Sequence, residues 1–146
     1  MSNDKHVCAV YIKAEPEVIW EALTTPEFTR RYFHATDIKS DWKQGSSVTY
    51  FNQDGSVAVE GEVLTANPPL ELSITWHVHY NEVAKKEEPS KVTFQLEQVE
   101  DATKLTVTHE DFPENSVVFP EISQGWIAIL CNLKTLLETD SVMAIS

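Results

Sequence analysis

The sequence predicts an α+β fold in which a curved antiparallel sheet of about six strands wraps around one long C-terminal helix. Segments with alternating apolar and polar residues occupy much of residues 36–110, and short turn signals separate them. A final long segment repeats apolar residues at three- and four-residue spacing. Strands joined by short turns form a meander, and this amphipathic helix is the available cover for its apolar face. A sheet curled around a helix in this way is a helix-grip.

The N-terminal part of the chain predicts one strand followed by two short helices. Residues 6–13 are rich in β-branched and aromatic side chains, which favour a strand. Pro16 suits the first turn of a helix, because its missing N–H would have no intrahelical partner there. Thr25 and Pro26 interrupt that helix and begin a second one, with Thr25 as the expected N-cap.

The middle of the chain predicts the remaining strands. Asn52 to Gly55 is a strong turn signal between two of them. The clearest strand covers residues 72–80, where the alternation is strict. Residues 100–102 predict the last turn. The side chains predicted to face inward are Tyr50, Leu72, Ile74, Trp76, Val78, Tyr80, Val92, Phe94, Leu96, Leu105 and Val107.

The segment from about residue 120 to 139 is the strongest helix prediction. Its apolar residues recur on one face, namely Ile122, Trp126, Ile129, Leu133, Leu136 and Leu137. A helix of this length spans roughly 30 Å at about 1.5 Å per residue. Trp76 lies in mid-sheet and Trp126 in the first turns of this helix. We therefore expect both side chains to be buried and to border the same internal space.

Composition limits the classes of partner. The chain has 146 residues, 42% of them hydrophobic, which predicts a single domain over residues 1–146. A formal net charge of −12 disfavours contact with nucleic acid and with anionic membrane surfaces. No apolar run approaches the ~18 residues that a membrane span needs. The first residues lack a secretory signal pattern, so we expect a cytoplasmic protein with reduced Cys8 and Cys131 and no membrane insertion.

No catalytic or cofactor motif stands out in the sequence. A nucleophile elbow, a glycine-rich phosphate loop and an HExxH pattern are all missing. His77 and His79 share one face of a strand and could bind a metal, but the sequence offers no evident third ligand. We therefore predict no catalytic residue, no metal site and no cofactor.

Several other polar residues leave alternatives open. His109 shares the inward phase of Leu105 and Val107, so it is either a hydrogen-bonded core histidine or a polar anchor for a ligand. Four carboxylates could include a general base beside a pocket, although a solvated outer face is the simpler interpretation. They are Glu60, Glu62, Glu110 and Asp111.

Short motifs that occur in a fixed order cover roughly residues 7–139. They include Glu17-Val-Ile-Trp-Glu-Ala-Leu-Thr-Thr-Pro-Glu-Phe28, Trp42-Lys-Gln-Gly-Ser46, Gly61-Glu-Val-Leu64, Val92-Thr-Phe-Gln-Leu96, Thr103-Lys-Leu-Thr-Val-Thr-His109 and Gly125-Trp126. With this order of elements, the chain resembles the START-like (SRPBCC) superfamily. Within it, the chain resembles the family named for the C-terminal domain of the activator of the 90-kDa heat-shock protein ATPase. The chain departs from the family pattern at Asp140, where glycine is frequent.

The resemblance implies a helix-grip with a hydrophobic cavity between sheet and helix. The ligand-binding residues predicted to line it are Phe33, Tyr50, Ile74, Trp76, Val78, Phe94, Val107, His109, Trp126, Ile129 and Leu133. The first functional hypothesis is binding of a small hydrophobic or amphipathic molecule there. The alternative is a co-chaperone that stimulates a 90-kDa heat-shock chaperone, although the namesake's additional N-terminal domain has no counterpart in this length. A cyclase- or hydrolase-like enzyme acting on an aromatic substrate is the third hypothesis.

Overall fold

The computed structural model of the chain describes residues 3–143 and consists of one antiparallel sheet, three α-helices and a short 3-10 turn. The strands are β1 (His6–Ile12), β2 (Asp37–Ser40), β3 (Ser47–Phe51), β4 (Val57–Asn67), β5 (Glu71–Val78), β6 (Ser90–Val99) and β7 (Ala102–Glu110). The helices are α1 (Pro16–Thr24), α2 (Pro26–Tyr32) and α3 (Val118–Thr139). The 3-10 turn is Ala84–Lys86.

The sheet has seven strands in the order β1-β7-β6-β5-β4-β3-β2. The last six form a meander, and β1 closes it by pairing with β7, with His6 opposite His109. The predicted α+β helix-grip is confirmed. The estimate of about six strands falls one short, because β2 has four residues and too little alternation to be recognised on its own.

The break between the two short helices occurs where the sequence predicts it. Thr25 ends α1 and precedes Pro26 at the start of α2. The expected cap is wrong in detail, because the Thr25 hydroxyl donates to the Glu21 carbonyl (2.8 Å) and makes no side-chain cap bond to α2. Thr25 therefore satisfies the end of the helix before it instead of the start of the helix after it.

The start of α3 is held by two side chains that lie outside it. The Ser116 hydroxyl accepts hydrogen bonds from the backbone N–H groups of Val118 (3.1 Å) and Phe119 (3.3 Å). Glu87, from the segment between β5 and β6, accepts from the Ser116 hydroxyl (2.6 Å) and from the Val117 N–H (2.7 Å). These bonds satisfy free N–H groups at the helix start and place a negative charge there, which the helix dipole favours.

The core lies between the concave face of the sheet and α3. Trp76 is 5% exposed and Trp126 is 2% exposed, so the predicted burial of both is confirmed. Tyr80 departs from the predicted inward row, because β5 ends at Val78 and the Tyr80 side chain is 52% exposed. Within residues 3–143, no helix has the length and apolar character that a membrane span requires.

Candidate functional site

A pocket of about 400 Å³ lies between the inner face of the sheet and the first half of α3. Residues from the end of α2, from β4 and β5, and from α3 surround it. The lining residues are Phe33, His34, Thr36, Asn52, Ala58, Val59, Trp76, Tyr80, Glu121, Ile122, Gly125, Trp126 and Ile129. Seven of these are buried apolar side chains, so the depth of the pocket is apolar.

Aromatic rings form the wall where sheet and helix come together. The Trp76 and Trp126 rings lie 5.4 Å apart between centroids, and Phe33 lies 6.0 Å from Trp76 and 5.9 Å from Trp126. Tyr50 stacks behind Phe33 at 4.8 Å. Such rings present flat, rigid apolar surface, and their mutual contacts leave few alternative rotamers.

A chain of hydrogen bonds fixes Trp126 against the sheet. The Trp126 Nε1–H donates to His109 Nδ1 (3.0 Å), so this nitrogen carries no proton. His109 Nε2–H then donates to the Ser90 hydroxyl (2.7 Å), which can donate to the Trp76 carbonyl (3.3 Å). Both ring nitrogens of His109 are used within the core. The geometry therefore favours the hydrogen-bonded core histidine of the two alternatives.

His109 is held in its neutral form. Burial lowers its pKa to about 3, and electrostatic interaction with His6 adds to this shift. The Trp126 N–H acts in the same direction, because a protonated Nδ1 would point a second donor at it. The histidine is thus a fixed connector between α3, β6 and β7 at neutral pH.

The opening of the pocket is polar. Tyr80 and Glu121 are both exposed lining residues, and the Tyr80 hydroxyl donates a hydrogen bond to the Glu121 carboxylate. Burial of part of the ring and the adjacent carboxylate raise the pKa of Tyr80, so its hydroxyl stays protonated at neutral pH. The exposed His34 and half-buried Asn52 also reach the opening. A ligand here would meet apolar walls in the depth and hydrogen-bonding groups at the surface.

Gly125 leaves part of the helix wall without a side chain. A Cβ atom added at this position would meet no heavy atom within 4 Å among the described residues. Glycine in a helix interior costs roughly 0.5–1 kcal/mol relative to alanine, so it does not stabilise α3. What it provides here is room on the pocket side.

The structure distributes the eleven predicted lining residues over two environments. Phe33, Trp76, Trp126 and Ile129 line the pocket. The other seven are buried in the surrounding core and lie outside the pocket wall, namely Tyr50, Ile74, Val78, Phe94, Val107, His109 and Leu133. Their side chains point inward as predicted, but far from the opening the neighbouring side chains fill the space around them. A role for any of the eleven in binding stays a prediction.

Sequence reasoning did not select most of the pocket's rim. Ile122 lies four residues before Trp126 and Gly125 lies four residues before Ile129, so the helical spacing that identified Trp126 and Ile129 could have added them. Tyr80 was predicted to face inward but was not included among the lining residues, and Glu121 gave no such signal. They come together only because the end of β5 folds next to the start of α3.

A second cluster lies on the outer face of the sheet. Glu60 on β4 joins His77 and His79, and one potential ligand atom from each lies within 4.8 Å of the other two. The structure thus supplies a candidate third ligand that the sequence alone did not make evident. The carboxylate comes from a neighbouring strand, paired with β5 so that Glu60 lies opposite His77.

Comparisons with known proteins agree with this architecture. Protein MLL2253 from Mesorhizobium loti is 26% identical, with 95% of this chain and 100% of that chain covered and a TM-score of 0.78. The Aha1 dimer from Colwellia psychrerythraea is 26% identical over 93% of this chain and 97% of that one, with a TM-score of 0.75. PFC0360w, an HSP90 activator from Plasmodium falciparum, is 24% identical and shares the fold, with 92% and 96% covered and a TM-score of 0.74.

A search of curated proteins finds no match. The family described as Activator of Hsp90 ATPase homolog 1-like protein matches residues 13–138, which is most of the chain. Together with the helix-grip fold and the solved relatives, this confirms the resemblance to the START-like superfamily. The chain belongs to the family of Activator of Hsp90 ATPase homolog 1-like proteins.

Proposed function

We propose that this protein binds a small, largely apolar molecule in the pocket between its sheet and α3. The observation that carries the proposal is a pocket of about 400 Å³ with buried aromatic and aliphatic walls and polar groups at its opening. Small-molecule sites commonly have volumes of roughly 300–1,000 Å³, apolar walls and a few polar groups that orient the ligand.

The polar opening suggests an amphipathic ligand. Glu121 carries a negative charge and is an acceptor, while Tyr80 donates to it in the absence of a competitor. A ligand with a hydroxyl at one end could donate to Glu121 and accept from Tyr80, and a ligand with an ammonium group could donate to Glu121. An anionic ligand would meet the Glu121 charge at the surface and is disfavoured.

A substitution at Gly125 tests the pocket without removing any contact. Gly125→Leu should fill the space beside Trp126, because an added Cβ meets no described atom within 4 Å there. Gln124→Leu is the matched control, since it adds a leucine to the exposed face of the same helical turn. The probe is prodan, an uncharged naphthalene dye. Its binding is measured by energy transfer from tryptophan to the dye and by the shift in melting temperature.

The proposal expects one dye molecule per chain in the wild type and in Gln124→Leu, with at least about tenfold weaker binding in Gly125→Leu. A ligand at 100 times its dissociation constant should stabilise the fold by about 2.7 kcal/mol. Native mass spectrometry of protein purified from its host would then identify the natural ligand. Dye binding that is equal in all three proteins would place it outside the pocket and contradict the proposal.

A second candidate function is stimulation of a 90-kDa heat-shock chaperone. The family description and the names of the Aha1 and HSP90 activator relatives favour it. The test adds this protein to its host's chaperone and measures ATP turnover together with direct binding. A raised turnover rate is expected, and the absence of both binding and rate change would exclude this role.

A further inference from the structure

The outer face of the sheet carries a group of metal-binding side chain types that is separate from the pocket. Glu60 lies on β4, and His77 lies directly opposite it on β5. His79 follows the end of β5 and is anchored by its backbone N–H, which donates to the Ala58 carbonyl (2.8 Å). The two imidazole rings lie 4.7 Å apart between centroids. The backbone of two paired strands thus places all three side chains.

One ring nitrogen of His77 is held by a backbone carbonyl. Its Nε2 lies 2.7 Å from the carbonyl oxygen of Lys85 in the 3-10 turn. A carbonyl only accepts, so Nε2 carries the proton and Nδ1 keeps a free lone pair. Metal-binding histidines typically donate their other ring N–H to a carbonyl or carboxylate in this way, which fixes the tautomer and the ring orientation.

His79 has an unsatisfied nitrogen at the same place. Its Nε2 is buried and makes no hydrogen bond to any residue from 3 to 143. It nevertheless lies 2.9 Å from Glu60 Oε1, so this contact is close enough for an ion pair but lacks hydrogen-bond geometry. A buried polar atom without a hydrogen bond costs free energy. A cation between the two groups would coordinate both.

We propose that Glu60, His77 and His79 form a binding site for a first-row divalent cation of the Zn²⁺ type. Two imidazoles and one carboxylate suit Zn²⁺, Cu²⁺ or Ni²⁺, whereas Mg²⁺ and Ca²⁺ prefer oxygen ligands. Tetrahedral Zn²⁺ with bonds of about 2.0–2.1 Å holds its ligand atoms about 3.4 Å apart. Atoms that already lie within 4.8 Å of one another reach this spacing by small side-chain rotations. Three protein ligands leave the fourth position to water.

The site would add a cross-link between segments that already contact one another through strand pairing and side-chain contacts. It would tie β4 to the end of β5 and, through the carbonyl of Lys85, to the 3-10 turn. Tyr80, at the pocket opening, follows His79 directly. The cation would therefore order the chain segment that carries Tyr80, although the site itself does not depend on the pocket binding a ligand.

The experiment titrates Zn²⁺ into chelator-treated, tag-free, full-length protein by isothermal calorimetry. The substitutions are His77→Gln, His79→Gln and Glu60→Gln. Glu62→Gln is the matched carboxylate control, because Glu62 is exposed on the same strand two residues away. The double change Cys8→Ser, Cys131→Ser tests another place where Zn²⁺ could bind, since burial and, secondly, the nearby Cys131 thiol raise the pKa of Cys8.

We expect the wild type to bind one Zn²⁺ per chain. Each of the three ligand variants should bind Zn²⁺ at least about tenfold more weakly, because even partners outside the first coordination sphere contribute that much to metal affinity. The Glu62 and cysteine variants should bind like the wild type. X-ray absorption of the wild-type complex should show two imidazole nitrogens, a readout that needs no variant to fold. Loss of binding only in the cysteine variant, or no saturable binding up to about 1 mM Zn²⁺, overturns the proposal.

Discussion

The two ends of α3 meet the same sheet in different ways. Near its C-terminus the helix packs closely on β1, where the Lys134 ammonium donates to the Tyr11 carbonyl (2.7 Å) and the Lys13 N–H donates to Glu138 (2.8 Å). Leu133 is completely buried there. Near its N-terminus the helix reaches the sheet through the large side chain of Trp126, and beside that contact lies the pocket.

This difference shows how one interface can be both core and binding site. A curved sheet cannot remain parallel to a straight helix, so the gap between them varies along the helix. Where the gap is small, leucine fills it. Where it is wider, aromatic rings and the side-chain-free Gly125 line the space that remains. Substitutions at the closed end, around Leu133, and at the pocket end, around Trp126, should therefore differ in their effect on stability.

The largest expected effect is a truncation at the closed end. Leu133→Ala should lower the free energy of unfolding by about 2–5 kcal/mol, because it removes buried contacts and leaves a new void. Ile122→Ala at the pocket end should cost about 2 kcal/mol, near the lower limit, because its void joins space that is already open. Urea unfolding measures both. Equal costs would mean that the pocket end is as tightly packed as the closed end.

The next effect is a pH dependence that originates beside the pocket. The pKa of His109 is about 3 in the folded state, against about 6.5 in an unfolded chain. At a pH between these two pKa values, the unfolded state binds a proton at His109 that the folded state does not bind. The contribution of His109 to the free energy of unfolding is therefore fully present above about pH 6.5 and falls as the pH is lowered. The slope approaches about 1.4 kcal/mol per pH unit.

His109→Gln is the control for this pH dependence. Glutamine can still accept from Trp126 and donate to Ser90, but it does not titrate. Unfolding free energies measured between pH 7 and pH 5, where carboxylates remain mostly ionised, should slope less in the variant. Parallel curves for the two proteins would show that another group causes the pH dependence.

A smaller effect of opposite sign is expected at Gly125. Gly125→Ala should raise the unfolding free energy by up to about 1 kcal/mol, because alanine is the better helix former and its methyl group enters open space. The gain should be visible as a higher melting temperature. Destabilisation would indicate that the pocket is closed in solution.

The smallest effect concerns the residue that ends α3 at the closed end. Asp140 adopts the left-handed conformation, with φ of 60°, that favours glycine. Its carboxylate and carbonyl accept hydrogen bonds from Arg31 (3.2 and 3.1 Å), which offsets part of the conformational cost. Asp140→Gly should therefore change stability by no more than about 0.5 kcal/mol, as thermal unfolding would show. A loss above 1 kcal/mol would assign Arg31 a larger role than an exposed pair normally has.

Local patterns were sufficient for most of the fold. Strict alternation identified β5, and helical spacing identified α3 to within two residues of its start. β2 was missed because four residues carry too little periodicity, and Tyr80 was placed inward because alternation does not indicate where a strand ends. The candidate site was predictable only in part: four of the eleven proposed lining residues face the pocket. Periodicity determines which way a side chain points, but not whether its neighbours leave space around it.

The two glycines at 61 and 125 separate what the sequence determines from what the tertiary structure decides. The sequence alone determined the class of fold, the family resemblance and the phase of the long elements, because these depend on local periodicity and on motif order. In the sequence, both glycines are equivalent parts of the resemblance. In the structure, a Cβ on Gly61 would lie 1.8 Å from the carbonyl oxygen of Thr75, whereas one on Gly125 would meet open space. That difference depends on the distance between elements far apart in sequence, as do the pocket and the grouping of Glu60 with two histidines.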